Sequence, residues 1–230
     1  MTPGTGVGGP TPPFRHHTLA VDSRGPIVQN RRMSASLIVL NGPSSSGKSS
    51  IISALQDLWP RPLFASGLDV FIGGWPDSHV TFPGDDGSPA SESGMRIVQG
   101  DGPAPSWIPE YDHEFHTVTR LAHRFWADMR RDGIDLVIDH VILDAMIREQ
   151  AKGTLVDAFW IGVNCDFDEL IRRETARGDR FLGFASGTFA VVHNEMTYDL
   201  FLDTTATPPD VLARQIHQAV LGNQKTHDLF

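Results

Sequence analysis

The sequence predicts an α/β protein whose parallel sheet is covered by helices on both faces. Three observations lead to this fold class. Short apolar runs alternate with segments of helical periodicity, a glycine-rich motif joins the first run to the first helical segment, and acidic residues follow several of the runs. Strands that alternate with helices form parallel sheets, because each helix returns the chain to the edge where the next strand starts. We expect a three-layer domain of about five strands over residues 34–225.

Residues 1–33 differ in composition from the rest of the chain. They are rich in Pro, Gly, Thr and Arg and show no periodic apolar pattern. Such a segment cannot bury enough apolar surface to offset the entropy that is lost on ordering. We expect a disordered N-terminal extension, and Met33, just before the first predicted strand, is a candidate for the natural start.

The bulk properties exclude some classes of function. The 230 residues carry a formal net charge of −9, whereas a general binder of nucleic acid or anionic membranes needs a basic face. No apolar stretch approaches the roughly 20 residues of a membrane span. The single cysteine, Cys165, follows an apolar run and is expected in the core, so there is no disulfide framework and a reducing cytoplasm fits. The oligomeric state stays open.

The first part of the domain contains two predicted strands and one predicted helix, followed by an irregular region. Residues 36–41 are apolar and β-branched, which is typical of a buried strand, and residues 49–58 repeat apolar residues at helical spacing. Residues 63–66 form the second predicted strand. Residues 73–110 are dense in Gly, Pro, Ser and Asp, which predicts a long irregular excursion of the kind that forms lids and binding loops.

The second part of the domain alternates more regularly. Apolar runs predict three further strands, which cover residues 134–139, 158–163 and 198–203. Helical periodicity predicts helices over residues 111–131 and 166–176 and a last helix that begins at Thr207. The strand at 158–163 is continuously apolar, which indicates burial on both faces.

The glycine-rich motif between the first strand and the first helix has the form G-x-x-x-x-G-K-S. In that context successive main-chain N–H groups point into one concavity, and the helix N-terminus adds positive potential. We predict a phosphate-binding loop in which Lys48 reaches the β- and γ-phosphates and the Ser49 hydroxyl ligates Mg²⁺. The predicted nucleotide-binding residues are Gly42, Pro43, Ser44, Ser45, Ser46, Gly47, Lys48, Ser49 and Ser50.

Acidic side chains stand at the carboxyl ends of three predicted strands, where open parallel sheets bind ligands. Asp69 could accept the proton of a hydroxyl group as a phosphoryl group arrives, or it could cap a short helix. Asp139 could hold Mg²⁺ or bind substrate, or it could be a turn residue. Asp203 could line a base pocket or cap a turn. His140, beside Asp139, could bind substrate but is more typical of a packed residue.

Four arginines lie close together late in the chain, namely Arg172, Arg173, Arg177 and Arg180. Arg173 and Arg177 are four residues apart and therefore share a helical face, and Gly178 is predicted to end that helix. The break would place Arg180 on a mobile segment over residues 181–187. A lid that carries arginine can close over a nucleotide and neutralise charge on a transferred phosphoryl group, and the alternative is a solvated helix end.

Taken together, these residues resemble the chloramphenicol phosphotransferase family over roughly residues 34–222. The most specific part of the resemblance is the string R-E-T-A-R-G-D-R at 173–180. The other matching segments are 40–49, 67–69, 138–139, 191–193 and 198–205. The resemblance implies a P-loop kinase fold and transfer of the γ-phosphate of ATP to a hydroxyl group of chloramphenicol.

The resemblance also implies roles for matched positions. It places a general base at Asp69, a nucleotide loop at Gly42, Gly47, Lys48 and Ser49, and an arginine lid at Arg173, Arg177 and Arg180. Residues 73–110, which would shape the acceptor pocket, show little resemblance. Three aromatic residues in or near this region could line a pocket for an aromatic acceptor, or they could lie in the core. These residues are Phe71, Trp75 and Trp107.

We therefore predict an ATP- and Mg²⁺-dependent O-phosphotransferase whose partner is a small-molecule hydroxyl acceptor, with chloramphenicol as the first candidate. Two alternatives stay open. One is a kinase of a nucleoside, a sugar or a nucleotide sugar. The other is a non-catalytic module that senses ATP.

Overall fold

The computed structural model describes residues 35–81, 94–101, 103, 105–178 and 182–227. The predicted disordered extension, residues 1–33, lies outside these ranges. The strands are β1 (Leu37–Asn41), β2 (Leu63–Gly67), β3 (Val80–Thr81), β4 (Met95–Gln99), β5 (Trp107–Tyr111), β6 (Asp135–His140), β7 (Phe159–Asn164) and β8 (Leu200–Asp203). The helices are α1 (Lys48–Leu58), α2 (Asp69–Ile72), α3 (His113–Arg131), α4 (Ala145–Thr154), α5 (Phe167–Arg177), α6 (Phe184–Val191) and α7 (Pro209–His227).

Five parallel strands form the main sheet, in the order β2-β6-β1-β7-β8. Successive residues of β1 point to opposite faces, so Ile38 and Leu40 pack in one core with α1 and α7. Leu37 and Val39 pack in the opposite core with α3 and α4. Helices thus cover both faces of the sheet, and the predicted three-layer α/β fold is confirmed.

The predicted elements of this layer are present, with ends that differ by one or two residues. Asp112 and Asp166 act as N-caps of α3 and α5, because their carboxylates accept hydrogen bonds from main-chain N–H groups of the first turn. Cys165 is buried, as predicted. Of the helices in the described ranges, none combines the length and the apolar character that crossing a bilayer would require.

The prediction of an irregular excursion over residues 73–110 is wrong for the part that the structure describes. β3, β4 and β5 form a second sheet, in which β4 runs antiparallel to β5 from the pair Met95–Tyr111 to the pair Gln99–Trp107. This sheet packs on Phe115 of α3 and Ile147 of α4. Pairing between strands stabilises these short segments, so their composition alone did not predict them.

Two helices, α4 and α6, were absent from the sequence prediction. α4 begins after Asp144, whose carboxylate accepts a hydrogen bond from the main-chain N–H of Ile147 at 2.9 Å. Its buried residues, Ile147 and Ala151, pack against the small sheet and the main core respectively. A helix of ten residues with two buried positions carries too weak a periodic signal to be detected.

Candidate active site

The glycine-rich motif forms a tight loop between β1 and α1. A Cβ atom on Gly42 would lie 2.2 Å from the main-chain oxygen of Val163, so the close approach of β7 requires glycine there. Gly47 adopts a left-handed conformation with φ 89°, and Ser45 also has a positive φ of 63°. Positive φ angles of this kind curve the main chain, as a phosphate-binding loop requires.

Lys48 lies at the start of α1 with its side chain folded back over the loop. Its Nζ donates hydrogen bonds to the main-chain oxygens of Gly42 and Pro43, both at 2.9 Å, and lies 3.6 Å from Oδ1 of Asp139. Only 5% of the residue is exposed. The ammonium group of Lys48 therefore lies against the main chain of the loop and beside the carboxylate of Asp139.

Ser49 and Asp139 come together from different elements. The Ser49 hydroxyl donates a hydrogen bond to Oδ2 of Asp139 at 3.1 Å. Hydroxyl and carboxylate oxygens are ligands that Mg²⁺ prefers, so Ser49 and Asp139 could hold a magnesium ion. Within the described ranges, no three His, Cys, Asp or Glu residues cluster to hold a metal by themselves.

Arg173 braces the back of the loop from α5. Its guanidinium donates to Oε1 of Glu169 at 2.8 Å, to the main-chain oxygen of Thr204 at 2.7 Å and to the Thr204 hydroxyl at 3.1 Å. The Thr204 hydroxyl in turn donates to the main-chain oxygen of Ser46 at 2.8 Å. Hydrogen bonds from Arg172 and Arg173 lower the pKa of Glu169 to about 2, so this anchor stays ionised. The residues after β8 thus connect Arg173 to the loop.

The segment after α5 is more ordered than predicted. Residues 181–187 were expected to be mobile, but the part from residue 184 onward is the first turn of α6. The buried carboxylate of Glu174 accepts hydrogen bonds from the main-chain N–H groups of Gly183 at 2.9 Å and Ala185 at 2.7 Å. Arg177 lies at the end of α5, exposed, and lines the same cleft as Arg173. Arg180 lies outside the described residues.

Helix α6 also contacts the phosphate loop. The main-chain N–H of Ser44 donates to the hydroxyl of Thr188 at 3.0 Å. At its other end, α6 packs on β5, because the main-chain N–H of Trp107 donates to the oxygen of Gly183 at 2.9 Å. The helix therefore connects the loop to the small sheet.

Asp69 and the loop line the same cleft, which has a volume of about 1030 Å³. It is the first residue of α2, two positions after Gly67, which pairs with Asp139 in the parallel register. This register brings the ends of β2 and β6 together, so the two acids that the sequence singled out line one cleft. The Asp69 side chain makes no hydrogen bond to any residue in the described part of the chain and does not cap α2, whose N-cap is Leu68.

The apolar wall of the cleft differs from the predicted one. Phe71, Trp75 and Trp107 belong to packed hydrophobic clusters rather than to the lining of the cleft. The wall near Asp69 is instead formed by side chains from the small sheet and its neighbours, namely Ile72, Met95, Ile97, Leu143 and Phe184.

Sequence reasoning missed a polar group on this wall. Tyr111, the last residue of β5, lines the cleft, and burial together with the negative charges of Asp144 and Asp69 raises the pKa of its phenol. Asp144 lies nearby and its Oδ1 is 3.1 Å from Nε2 of His116. An aspartate before a helix was a usable signal for the α4 cap, but the approach of Tyr111 to the cleft depends on strand pairing.

His140 is packed rather than free to bind substrate. It is fully buried, and its Nε2 lies 3.0 Å from Nε2 of His123 on α3. Burial lowers the pKa of both rings, and the neighbouring His123 adds to the effect on His140. Asp203 is exposed, and its Oδ1 accepts a hydrogen bond from the main-chain N–H of Thr205 at 2.7 Å, which is the turn-capping alternative.

Comparison with protein families gives one match that spans most of the chain. The sequence model of the family described as "Chloramphenicol phosphotransferase-like protein" matches residues 35–221. A protein of Mycobacterium tuberculosis (strain ATCC 25618 / H37Rv) named "Putative O-phosphotransferase Rv2636" is 33% identical over 197 residues. The alignment covers 80% of this chain and 81% of that protein.

Solved structures share the fold at low sequence identity. A sugar kinase from Janibacter sp. HTCC2649 has a TM-score of 0.57 at 15% identity, covering 81% of this chain and 94% of that one. The Mycobacterium tuberculosis APS kinase CysC, in complex with AMPPNP and APS, has a TM-score of 0.52 at 15% identity, covering 81% and 98%. These similarities establish a P-loop kinase fold and, at such identities, nothing about the acceptor.

Proposed function

The chain belongs to the chloramphenicol phosphotransferase-like family, and we propose that it is an ATP-dependent O-phosphotransferase acting on a hydroxyl group of a small molecule. One observation carries the proposal. A single cleft is lined both by the phosphate loop, with Lys48, Ser49 and Asp139, and by the exposed carboxylate of Asp69. A phosphoryl donor and a hydroxyl acceptor could therefore bind side by side in this cleft.

In the proposed reaction the loop binds the triphosphate. The main-chain N–H groups of the loop would bind phosphate oxygens, and Lys48 would exchange its two carbonyl partners for the β- and γ-phosphates. Ser49 and Asp139 would hold Mg²⁺, which when bound neutralises phosphate charge.

The acceptor hydroxyl is activated by Asp69. The oxygen of the acceptor hydroxyl attacks the γ-phosphorus, and the bond from that phosphorus to the oxygen that bridges it to the β-phosphate breaks. The hydroxyl proton passes to the Asp69 carboxylate. The products are a phosphate monoester and ADP. Asp69 suits this task because its side chain makes no hydrogen bond to a described residue and lines the cleft.

The arginines would cover the transferred group. Arg173 is already fixed by Glu169 and Thr204, so it would supply a preorganised positive charge beside the loop. Arg177, one turn later on the same face, would add a second charge, and Arg180 is proposed to complete the cover as the family resemblance implies. Exclusion of water from this region would favour transfer over hydrolysis of ATP.

Chloramphenicol is the first acceptor to test, because the family to which the chain belongs is described by that compound. The test is mass spectrometry of a panel of antibiotics, nucleosides, sugars and nucleotide sugars after incubation with the protein, ATP and Mg²⁺. We expect one compound to gain a single phosphate group. Phosphorylation of a sugar or nucleoside alone would replace the antibiotic by that acceptor. ATP binding without transfer to any compound would contradict the enzyme and favour an ATP-sensing module.

A further inference from the structure

Tyr111 is held rigidly at the edge of the cleft. It closes β5, where it pairs with Met95 of β4, and its ring stacks on Phe115 with centroids 4.4 Å apart and planes 12° apart. Phe115 is buried in the cluster beneath the small sheet. The ring therefore has a packed support behind it and the cleft in front of it.

The next residue fixes the backbone at this point. Asp112 caps α3 by accepting from the main-chain N–H of Phe115 at 2.8 Å, and its other carboxylate oxygen accepts from that of Gly94 at 2.6 Å. The main-chain N–H of Asp112 also donates to the oxygen of Gly94 at 3.1 Å. One side chain thus joins the start of β4 to the start of α3. Tyr111 has little freedom to turn away from the cleft.

The phenol of Tyr111 is a hydrogen-bond donor that the fold leaves for a ligand. Among the described residues it has no hydrogen-bond partner, although it lines the cleft. Its surroundings raise its pKa, so the O–H keeps its proton at physiological pH. The residue is half-buried at the edge of the cleft, so an oxygen atom of a bound molecule could accept this hydrogen bond in place of water.

Charge is distributed unequally along the cleft. The described cations that line it, Lys48, Arg173 and Arg177, belong to the phosphate loop and to α5. The wall around Tyr111 is apolar, and the charges that act on its phenol are those of Asp69 and Asp144. An acceptor with a carboxylate or phosphate group would be repelled there by Asp69 and Asp144, whereas the described lysine and arginines that line the cleft belong to the phosphate loop and to α5.

We propose that Tyr111 binds the acceptor by donating a hydrogen bond to one of its oxygen atoms, in a site that selects alcohols with an apolar body and no anionic group. The site is the wall formed by Tyr111, Ile72, Met95, Ile97 and Phe184, with Asp69 and Asp144 setting its negative potential. This inference rests on the proposed function and narrows its substrate class.

The first test extends the acceptor panel with alcohols matched in size that carry an amide, an amine or a carboxylate. If no compound gains phosphate, both the proposed function and the proposed acceptor site are refuted. If a compound is phosphorylated, the site is supported when the neutral or amine-bearing members of the panel are the substrates. Preferred turnover of the carboxylate members would overturn the charge selection while leaving the phosphotransferase intact.

The second test removes one atom from Tyr111. With the acceptor found above, Tyr111→Phe should raise the KM for the acceptor by roughly 3- to 10-fold, the worth of one hydrogen bond, and leave the KM for ATP unchanged. Tyr198→Phe is the matched control, because its hydroxyl contacts Asn41 and His193 away from the cleft. An unchanged acceptor KM in a folded Tyr111→Phe protein, checked by its melting temperature, would refute the role of the phenol.

The third test changes the potential of the site. Asp144→Asn keeps an oxygen that can cap α4 and removes the negative charge. The ratio of kcat/KM for a carboxylate-bearing alcohol to that of its amide partner should rise several-fold. The same ratio should stay constant in Asp157→Asn, whose carboxylate is exposed and pairs with Arg130. Equal ratios in both variants would show that Asp144 does not select the acceptor.

Discussion

At the scale of single residues, Lys48 is the group whose contacts would change most under the proposed function. Its ammonium is folded over its own loop and held by the main-chain oxygens of Gly42 and Pro43. A phosphate offers charge-assisted hydrogen bonds that are stronger than those to a carbonyl. Under the proposed function, phosphate oxygens would therefore replace the two main-chain carbonyl oxygens as partners of the Lys48 ammonium, which lies beside Asp139.

The proposed division of labour predicts different failures for Lys48→Ala and Asp69→Asn. Both variants should lose phosphorylation by at least about 100-fold, because one loses phosphate binding and the other its proton acceptor. Only Lys48→Ala should lower ATP affinity strongly, since Asp69 lies on α2 and is not part of the phosphate loop. Calorimetric titration with ATP and Mg²⁺ measures the affinity, and product analysis measures the transfer. Normal turnover by Asp69→Asn would remove it as the base.

Sequence reasoning predicted the conformation best where contiguous residues define it. The loop from Gly42 to Ser49 was predictable because strand, glycine turn and helix are contiguous. The proximity of Tyr111 and Asp144 was not predictable. The position of Tyr111 depends on the pairing of β4 with β5, and that of Asp144 depends on α4, a helix that the periodicity did not reveal. Local patterns do not record contacts of that kind.

At the scale of elements, α6 is the part of the site that its sequence least predicts. Its first turn was expected to be mobile, and the residue that orders it is Glu174, one helix earlier. A glutamate within a string of arginines suggests a surface ion pair. Burial of its carboxylate against two main-chain N–H groups became visible only in the structure.

Removal of the Glu174 carboxylate should loosen the junction between α5 and α6. Glu174→Ala leaves two buried main-chain N–H groups without their acceptor, which should cost about 2 kcal/mol in the free energy of unfolding. The melting temperature should fall by roughly 5 °C, as measured by calorimetry. Limited proteolysis should cut the junction faster.

The control for this prediction is Glu149→Ala on α4, where the side chain is 73% exposed and pairs only distantly with Arg148. This variant should melt within about 1 °C of the unmodified protein. A Glu174→Ala protein that is as stable as this control would mean that the two hydrogen bonds contribute little.

At the scale of the whole molecule, the fold was predictable and the acceptor side was not. The main sheet follows from apolar runs whose alternate residues enter cores on two faces, as Leu37 to Leu40 do. The small sheet is built from short strands, one of them only Val80–Thr81, whose stability comes from packing on Phe115 and Ile147. The part of the site that we propose to bind phosphate is therefore encoded by residues contiguous in the sequence. The part that we propose to bind the acceptor depends on pairing and packing between segments distant in the sequence.

The buried pair of histidines connects the stability of the whole domain to pH. Burial lowers the pKa of His123 from 6.5 to about 4, so its ring stays neutral in the folded protein. Between these pH values the unfolded chain binds more protons than the folded one. The free energy of unfolding should therefore be highest above about pH 6.5 and fall as the pH drops toward 4. At pH 4.5 the loss from this group should be on the order of 2 kcal/mol, measured by denaturant titration.

Two variants separate this histidine from the general effect of acid on the carboxylates. His123→Gln loses the contact with His140 but has no ring to protonate, so it should be less stable at pH 8 and lose less stability between pH 6.5 and 4.5. His113→Gln, at an exposed position on the same helix, should follow the unmodified protein throughout. If His123→Gln loses stability with the full slope of the unmodified protein, protonation of this ring does not drive the acid transition. In that case the buried carboxylate of Asp135, which accepts hydrogen bonds from Ser36, Trp59 and Arg61, becomes the group to examine.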